Sequence, residues 1–436
     1  MTTPLVVLDD DPTGTQALAD VPVLLRWDAA ALARITTTGP AAVHLMTNSR
    51  ALSAAEARRT VGSAARAALG AWPGADLVLR GDSTLRGHVL PEYLAVRSER
   101  FPGASPVLLL APALPAAGRI TVDGVHLLER EGRRVPLHDT EYAADPDLGY
   151  RDARLLTWAE ERSSGYFAAT DGAEVRLSRL RADGGAAVAE TLAALADGGR
   201  PAVCAVDAET AADLALLAAG WAEARRRGIP VVLRCAPAMV AVATGRAAAG
   251  LVPLPVPAGP VLVICGSYVP ATTRQLAALR ARYPSSLVEA NLTALLDVAP
   301  ADEHHRRVAA LGDRLTDEGL AVLCTPRAGA AGPGGHDRQS RVARALASVV
   351  RDLVSGAGAP SPGLLLTKGG ITSAVAVRDG LDAASAQVIG PVATGVSHWQ
   401  VETTRGPLPC MIVPGNVGPD DLLVHLVDGL LHRARQ

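Results

Sequence analysis

The stretch LVVLDDDPTGTQ, residues 5–16, decides how the rest of the chain is read. Leu5 to Leu8 form a short apolar run with no polar alternation, the pattern of a strand buried on both faces in a parallel sheet. Asp9, Asp10 and Asp11 stand where that strand ends, and Pro12 and Gly14 force a turn directly after it. In doubly wound sheets ligands bind beyond the carboxyl ends of the strands. Three adjacent carboxylates repel one another, and burying them raises at least one pKa unless cations or hydrogen-bond donors compensate. The plainer alternative is a solvated turn with aspartate as a helix cap. A site is the stronger expectation.

Working outward, short β-branched or leucine-rich runs alternate with longer alanine-rich amphipathic ones. Runs at 5–9, 22–26, 43–46, 77–80, 107–111, 203–207 and 231–235 read as buried strands, and 53–71 and 208–227 as helices. Residues 249–260, AGLVPLPVPAGP, concentrate proline and glycine without helical period, which marks a linker. The alternation then restarts, with strands expected at 261–265, 320–325, 363–367 and 410–413 and helices near 270–282, 302–318, 337–355 and 419–434. The expected fold class is α/β: two domains, each a mainly parallel sheet with helices on both faces, and the active site in the cleft between them. The boundaries are 1–249 for the N-terminal domain, 250–260 for the linker and 261–436 for the C-terminal domain. Residues 130–180 read as loops and short elements.

Composition narrows the function classes. With 436 residues, 49% hydrophobic and 20% charged, the chain has the balance of a globular protein of more than one domain. A formal net charge of -2 argues against a nucleic-acid or anionic-membrane surface. No apolar run reaches bilayer length and no export signal is visible, so a cytoplasmic location is expected. The five cysteines are far apart without C-x-x-C spacing and read as buried free thiols. Lys368 is the only lysine, in a chain rich in arginine.

Further constellations follow other strands. In LRGDSTLRGH, residues 79–88, Asp82, Ser83 and Arg86 sit between Gly81 and Gly87; an arginine fork there would hold a carboxylate bidentately. The loop 111–127 carries Arg119, Thr121 and Asp123 and can reach the same place. In the second half, CGSYVPATTRQ (265–275), TKGGITSA (367–374) and VPGNVGPDD (413–421) each join a strand to a helix through a glycine turn. Such turns present backbone N–H groups to anions, and three in one domain suggest a nucleotide cradle. Neither the Walker A spacing nor the dinucleotide fingerprint is present.

The opening admits two chemistries. Asp9-x-Asp11 matches a haloacid-dehalogenase-type phosphatase, with Thr47 as its phosphate hydroxyl. That reading lacks a lysine and a late acidic pair in the same domain and leaves the glycine turns without a role. DDPTG (10–14), DSTLRGH (82–88), GRITVDG (118–124), CGS (265–267), KGGITS (368–373) and PGNVG (414–418) occur in order, and together they resemble the four-carbon acid sugar kinase family. The resemblance spans nearly the whole chain. It implies an acid-sugar-binding N-terminal domain and a nucleotide-binding C-terminal domain. The implied reaction transfers the γ-phosphate of ATP to the terminal (C4) hydroxyl of a tetronate or 3-oxo-tetronate. Asp11, or else Asp10, would take the hydroxyl proton. Asp82, Ser83, Arg86, Arg119 and Thr121 would bind the acid, with Arg86 on its carboxylate. Ser267, Lys368, Gly369, Gly370, Ile371, Thr372 and Gly415 would contact the nucleotide. ATP with Mg2+ is expected, the metal ligands unassigned; a homodimer is compatible with the sequence but not demanded by it. Three positions depart from the family pattern: Thr15, where alanine is usual; Arg80-Gly81, where a basic residue directly precedes DSTLRG; and Ile371, where acidic residues are frequent. A non-catalytic sensor of acid and nucleotide is the third class to be tested.

Overall fold

The computed structural model describes residues 3–130, 132–247, 250–290, 301–326, 335–356 and 360–435. The chain divides into two compact units: Met1–Gly14 with Trp27–Ala247, and Thr15–Arg26 with Ala248–Gln436.

The first unit is built on a parallel sheet. Among the described residues its strands run in the order Ala42–Met46, Leu5–Asp9, Asp76–Arg80, Val231–Cys235, Val107–Ala111, Val203–Val206 and Ala173–Val175. The runs LVVLD and VLLLA are buried along their whole length, as strands covered on both faces must be. Helices start where the sequence supplies caps: Ser53 and Glu56 form a reciprocal capping box for Ala54–Ala71, and Thr210 and Asp213 do so for Ala211–Arg226. The GRITVDG stretch, expected as a loop, is a hairpin of Arg119–Val122 and Val125–Arg130 extended by Arg133–Pro136. Its turn is Asp123-Gly124, both at positive φ, the primed geometry that an Asp-Gly pair favours.

The second unit carries parallel strands in the order Leu287–Glu289, Leu320–Cys324, Val261–Cys265, Leu364–Lys368 and Gly406–Val413. The sheet continues antiparallel through Val396–Thr403, Ser385–Ala393 and Val21–Leu24. Ser385–Ala393 is hidden in the sequence because Gly390 and Pro391 interrupt it. The register of the middle pair shifts at Val388/Gly390 and Pro391/Ala393, where the irregular residues are absorbed as bulges.

Residues 15–26, placed in the first domain by the sequence reading, thus belong to the second unit. Val21 to Leu24 are fully paired there with Val388 to Ser385, and Trp399 Nε1 donates to Thr15 Oγ1 at 2.8 Å. A short apolar strand is equally at home in either sheet, so sequence cannot tell which one it joins. All five cysteines are buried free thiols. Among the described residues no helix is long and apolar enough to cross a membrane.

Candidate active site

Sheet register brings the first-unit turns together. Asp9 pairs across to Met46 on one side and Arg80 on the other; Arg80 pairs to Cys235, and Cys235 to Ala111. Turns after residues 9, 46, 80 and 111 therefore leave neighbouring strands at the same edge, the carboxyl edge where ligands bind.

The three aspartates have three different fates. Asp9 is fully buried; its Oδ2 lies 2.8 Å from His44 Nδ1, and its Oδ1 accepts from Arg80. With no exposed surface and both oxygens engaged, Asp9 cannot serve as a phosphatase nucleophile. Thr47 is also buried and donates to the Asp9 carbonyl at 2.8 Å, so it is no phosphate hydroxyl. Asp11 pairs with Arg50 and accepts from Thr13 N at 2.7 Å, which commits it to closing the turn. Asp10 is different. Arg80 Nη2 lies 3.0 Å from its Oδ1, but neither carboxylate oxygen receives a hydrogen bond from the described residues. Burial pushes its pKa up, only partly offset by Arg50, Arg80 and Arg234.

The cations that neutralise this turn are Arg80 and Arg50. Arg86 donates to Asp82 Oδ2 at 2.8 Å and lies 3.7 Å from Asp145. Arg50 bridges Asp11 to Asp82, with Nη1 3.2 Å from Asp82 Oδ2. Although burial works the other way, Arg86, Arg50 and two bonds from Thr84 hold Asp82 far below the usual carboxylate range. The 82–88 loop is itself fastened: Leu85 adopts φ +65, His126 Nε2 sits 2.9 Å from the Ser83 carbonyl, and Tyr150 donates to the Thr84 carbonyl at 2.9 Å. Thr121, expected to touch substrate, is instead fully buried with its Oγ1 2.9 Å from His126 Nδ1. Burial lowers the His126 pKa to about 4, so the ring is neutral at pH 7. Ser83 is buried within the same loop. Arg119 packs over the Tyr142 ring, 5.9 Å from its centroid, and Arg86 lies 5.5 Å from the same centroid.

Several members escape sequence reading. His44, Arg50, Arg80, Glu92 and Arg234 are all buried or nearly so, and Arg234 pairs with Glu92. Arg234 also explains the flanking glycines: a Cβ on Gly81 or Gly87 would come within 2.8 or 2.6 Å of its Nη2. The available signal was an arginine ending an apolar strand, as in LVLR and VVLRC.

The second unit repeats the edge logic with different chemistry. Cys265 pairs to Lys368, and Lys368 to Val413, so the three glycine turns leave adjacent parallel strands. They converge on Ser267. A Cβ on Gly415 would stand 2.4 Å from Ser267 Oγ, and one on Gly369 2.9 Å from Ser267 Cβ. Thr272 Oγ1 joins them, lying 3.1 Å from Ser267 Oγ and donating to the Gly415 carbonyl at 2.9 Å. Gly266 packs on Thr372, where a Cβ would meet its Oγ1 at 2.2 Å. Gly370 is half-buried at the start of the next helix. The partly buried Ile371 side chain packs against Ala343, Ala347 and Val375. Lys368 is fully buried, its ammonium donating to the carbonyls of Pro414 at 2.7 Å and Val417 at 3.3 Å. Burial lowers its pKa to about 8. Among the described residues no group of three or more His, Cys, Asp or Glu side chains could hold a metal ion.

A buried acidic and arginine-rich site at one sheet edge, and a backbone cradle at another, define a two-domain phosphotransferase. A model described as a sugar-binding N-terminal domain matches residues 5–243, and one described as a nucleotide-binding C-terminal domain matches 262–423. The chain belongs to the four-carbon acid sugar kinase family. It is 30% identical over 419 residues to a D-erythronate kinase of Heliobacterium modesticaldum, covering 89% of this chain and 87% of that one. Its fold is shared with a Haemophilus influenzae protein from a domain family of unknown function, at TM-score 0.64 and 16% identity over 98% of this chain and 100% of that one. It is also shared with a Salmonella typhimurium LT2 protein provisionally described as a tRNA synthase, at TM-score 0.67 and 19% identity over 97% and 98%. The enzyme is an ATP-using phosphotransferase with an alcohol group as acceptor, a kinase for acid sugars.

Proposed function

We propose that the enzyme phosphorylates the terminal C4 hydroxyl of a tetronate or 3-oxo-tetronate, with Asp10 as the general base. The observation that carries this reading is the state of Asp10: a buried carboxylate, flanked by two fully committed aspartates, whose own oxygens accept no hydrogen bond from the described residues. A hydroxyl donating to Asp10 would supply the missing bond and lose its proton as the phosphorus–oxygen bond forms. A raised pKa makes Asp10 a better proton acceptor than an ordinary aspartate. Asp11, with Arg50 and Thr13, would shape the turn and take no proton. Phosphoryl transfer needs little else from the protein than positioning and charge neutralisation.

The nucleotide would lie on the second unit, its phosphates against the turns at Ser267, Gly369–Thr372 and Gly415. Lys368 would act there by fixing the 414–417 backbone. Magnesium keeps much of its water shell and is commonly held by substrate phosphates plus one or two carboxylates, so it would arrive on ATP. As the nucleotide's counter-ion it would supply charge neutralisation at the β- and γ-phosphates. A cytoplasmic location and a homodimer remain proposals of the same reading.

The test is a coupled ADP assay on the full chain with ATP, Mg2+ and a panel of tetronates and their 3-oxo forms. ADP formation dependent on one of these acids, with phosphorus NMR placing the phosphate on C4, is the expected result. Phosphate on another hydroxyl would remove the C4 assignment. ADP from a longer acid alone would remove the four-carbon assignment.

A further inference from the structure

We infer that Arg119 is the residue that receives the carboxylate of the acid substrate, and that Arg86 is a positioning residue for Asp82. The inference rests on the acid-sugar reading above and deepens it.

The cations around the first-unit site are not equivalent. Arg50 is paired with Asp11 and Asp82, Arg80 with Asp9 and Asp10, Arg86 with Asp82 and Asp145, and Arg234 with Glu92. Arg119 is only 6% exposed, yet among the described residues its guanidinium makes no ion pair and its Nε has no hydrogen-bond partner. A buried ion without a counter-charge is strongly disfavoured, and such groups are normally paired or turned outward. Nor does Arg119 have freedom to wander. Its backbone N–H donates to the Leu114 carbonyl at 3.2 Å, its carbonyl accepts from Leu114 N at 2.8 Å, and it opens the hairpin strand opposite Leu128.

The remaining contact points to an anion. Arg119 and Arg86 share the Tyr142 ring, which interacts with each cation through its π system and supplies no counter-charge. Stacking leaves the N–H edge of a guanidinium open, and that edge matches a carboxylate with two parallel hydrogen bonds. Arg86 has already turned its Nε to Asp82, so an entering carboxylate would have to displace it. Among the described residues Arg119 has no ion pair to displace. Neighbouring His126, neutral at pH 7, brings no competing positive charge.

The test uses the full chain with Arg119→Gln and Arg119→Lys, reading affinity for D-erythronate against its uncharged counterpart erythritol, together with thermal stability. Loss of a charge-assisted contact predicts a fall in D-erythronate affinity on the order of 10- to 100-fold for Arg119→Gln. Erythritol affinity should not fall, so discrimination between acid and polyol collapses. Arg119→Lys should keep part of it. Without ligand, Arg119→Gln should melt at the same temperature or higher, because an unpaired buried charge is gone. Unchanged D-erythronate affinity would overturn the assignment, and so would an equal loss for both ligands with a lowered melting temperature, the signature of a structural role. A wild-type chain that binds other acid sugars but no four-carbon acid would remove the tetronate reading, and the same variants measured on the accepted acid would still decide Arg119.

Discussion

The two strand-end edges proposed as ligand sites in this enzyme are built from opposite materials. In the first unit the turns are filled with charge: Asp9, Asp10, Asp11, Asp82 and Glu92 interleave with Arg50, Arg80, Arg86 and Arg234, nearly all out of contact with solvent. In the second, glycines close on Ser267 and Thr272, and the buried charged side chain, Lys368, holds backbone. Rigid, paired charges can reject a ligand of the wrong charge or length, since each misplaced group leaves a buried ion unpaired. A backbone cradle recognises phosphate by N–H groups that any sequence supplies, so its demand is for close approach. Substitutions should therefore act differently at the two edges.

The sharpest contrast is expected from Asp10→Asn, which keeps shape and removes the base. Steady-state kinetics should show kcat down by about two to four decades with the acid's KM kept or lowered. The pH profile of wild-type kcat/KM should fall on the acid side through the raised Asp10 pKa, above the ordinary value of 3.8. The stability sign is opposite to that of a salt-bridged aspartate. A raised folded-state pKa means the ionised form is penalised in the fold, so Asp10→Asn should raise Tm at neutral pH. That gain should vanish below the unfolded pKa, where both states are protonated. A loss of Tm at pH 7 would show that Asp10 is structural.

On the other edge, Gly415→Ala places a methyl 2.4 Å from Ser267 Oγ. Overpacking of that kind costs about 1 to 3 kcal/mol, so the ATP KM should rise by roughly one decade or more while acid binding is untouched. Acid affinity falling in parallel would break the separation of roles.

Lys368→Met should give a smaller change. It leaves the Pro414 and Val417 carbonyls without their donor, each lost hydrogen bond amounting to about 1 kcal/mol. A few-fold rise in ATP KM and a Tm lowered by several degrees are expected. Here linkage runs the other way. The folded-state pKa is about 8 against 10.5 unfolded, so between those values the unfolded chain binds more protons and wild type should gain stability over Lys368→Met as pH rises. The smallest effect should come from Arg66→Ala: its pair with Glu99 is 71% exposed on the arginine side, and the change should stay within about 0.5 kcal/mol.

Legibility followed the range of the causes. The parallel strands and the helices with capping boxes could be read because strand burial and capping act over a few neighbouring residues. The glycine turns could be read too, since glycine is required by local geometry. The Asp123-Gly124 hairpin was equally local and could have been read from its turn pair. The antiparallel strand Ser385–Ala393 was obscured by Gly390, Pro391 and the bulges that only its neighbouring strands make tolerable.

By itself the sequence determined the α/β class, the two-part organisation and the family, because each is written in residues close together along the chain. Tertiary structure alone decided the division of labour among Asp9, Asp10 and Asp11. Their local surroundings are almost identical, and what separates them is Arg80 and His44 on neighbouring strands and Arg50 on another turn. It also decided that residues 15–26 belong to the second unit and that Arg119, among many arginines, is left without an ion-pair partner among the described residues. Pairing of charges depends on which strand ends the sheet makes adjacent, and the order of parallel strands in a sheet is not written in any one of them.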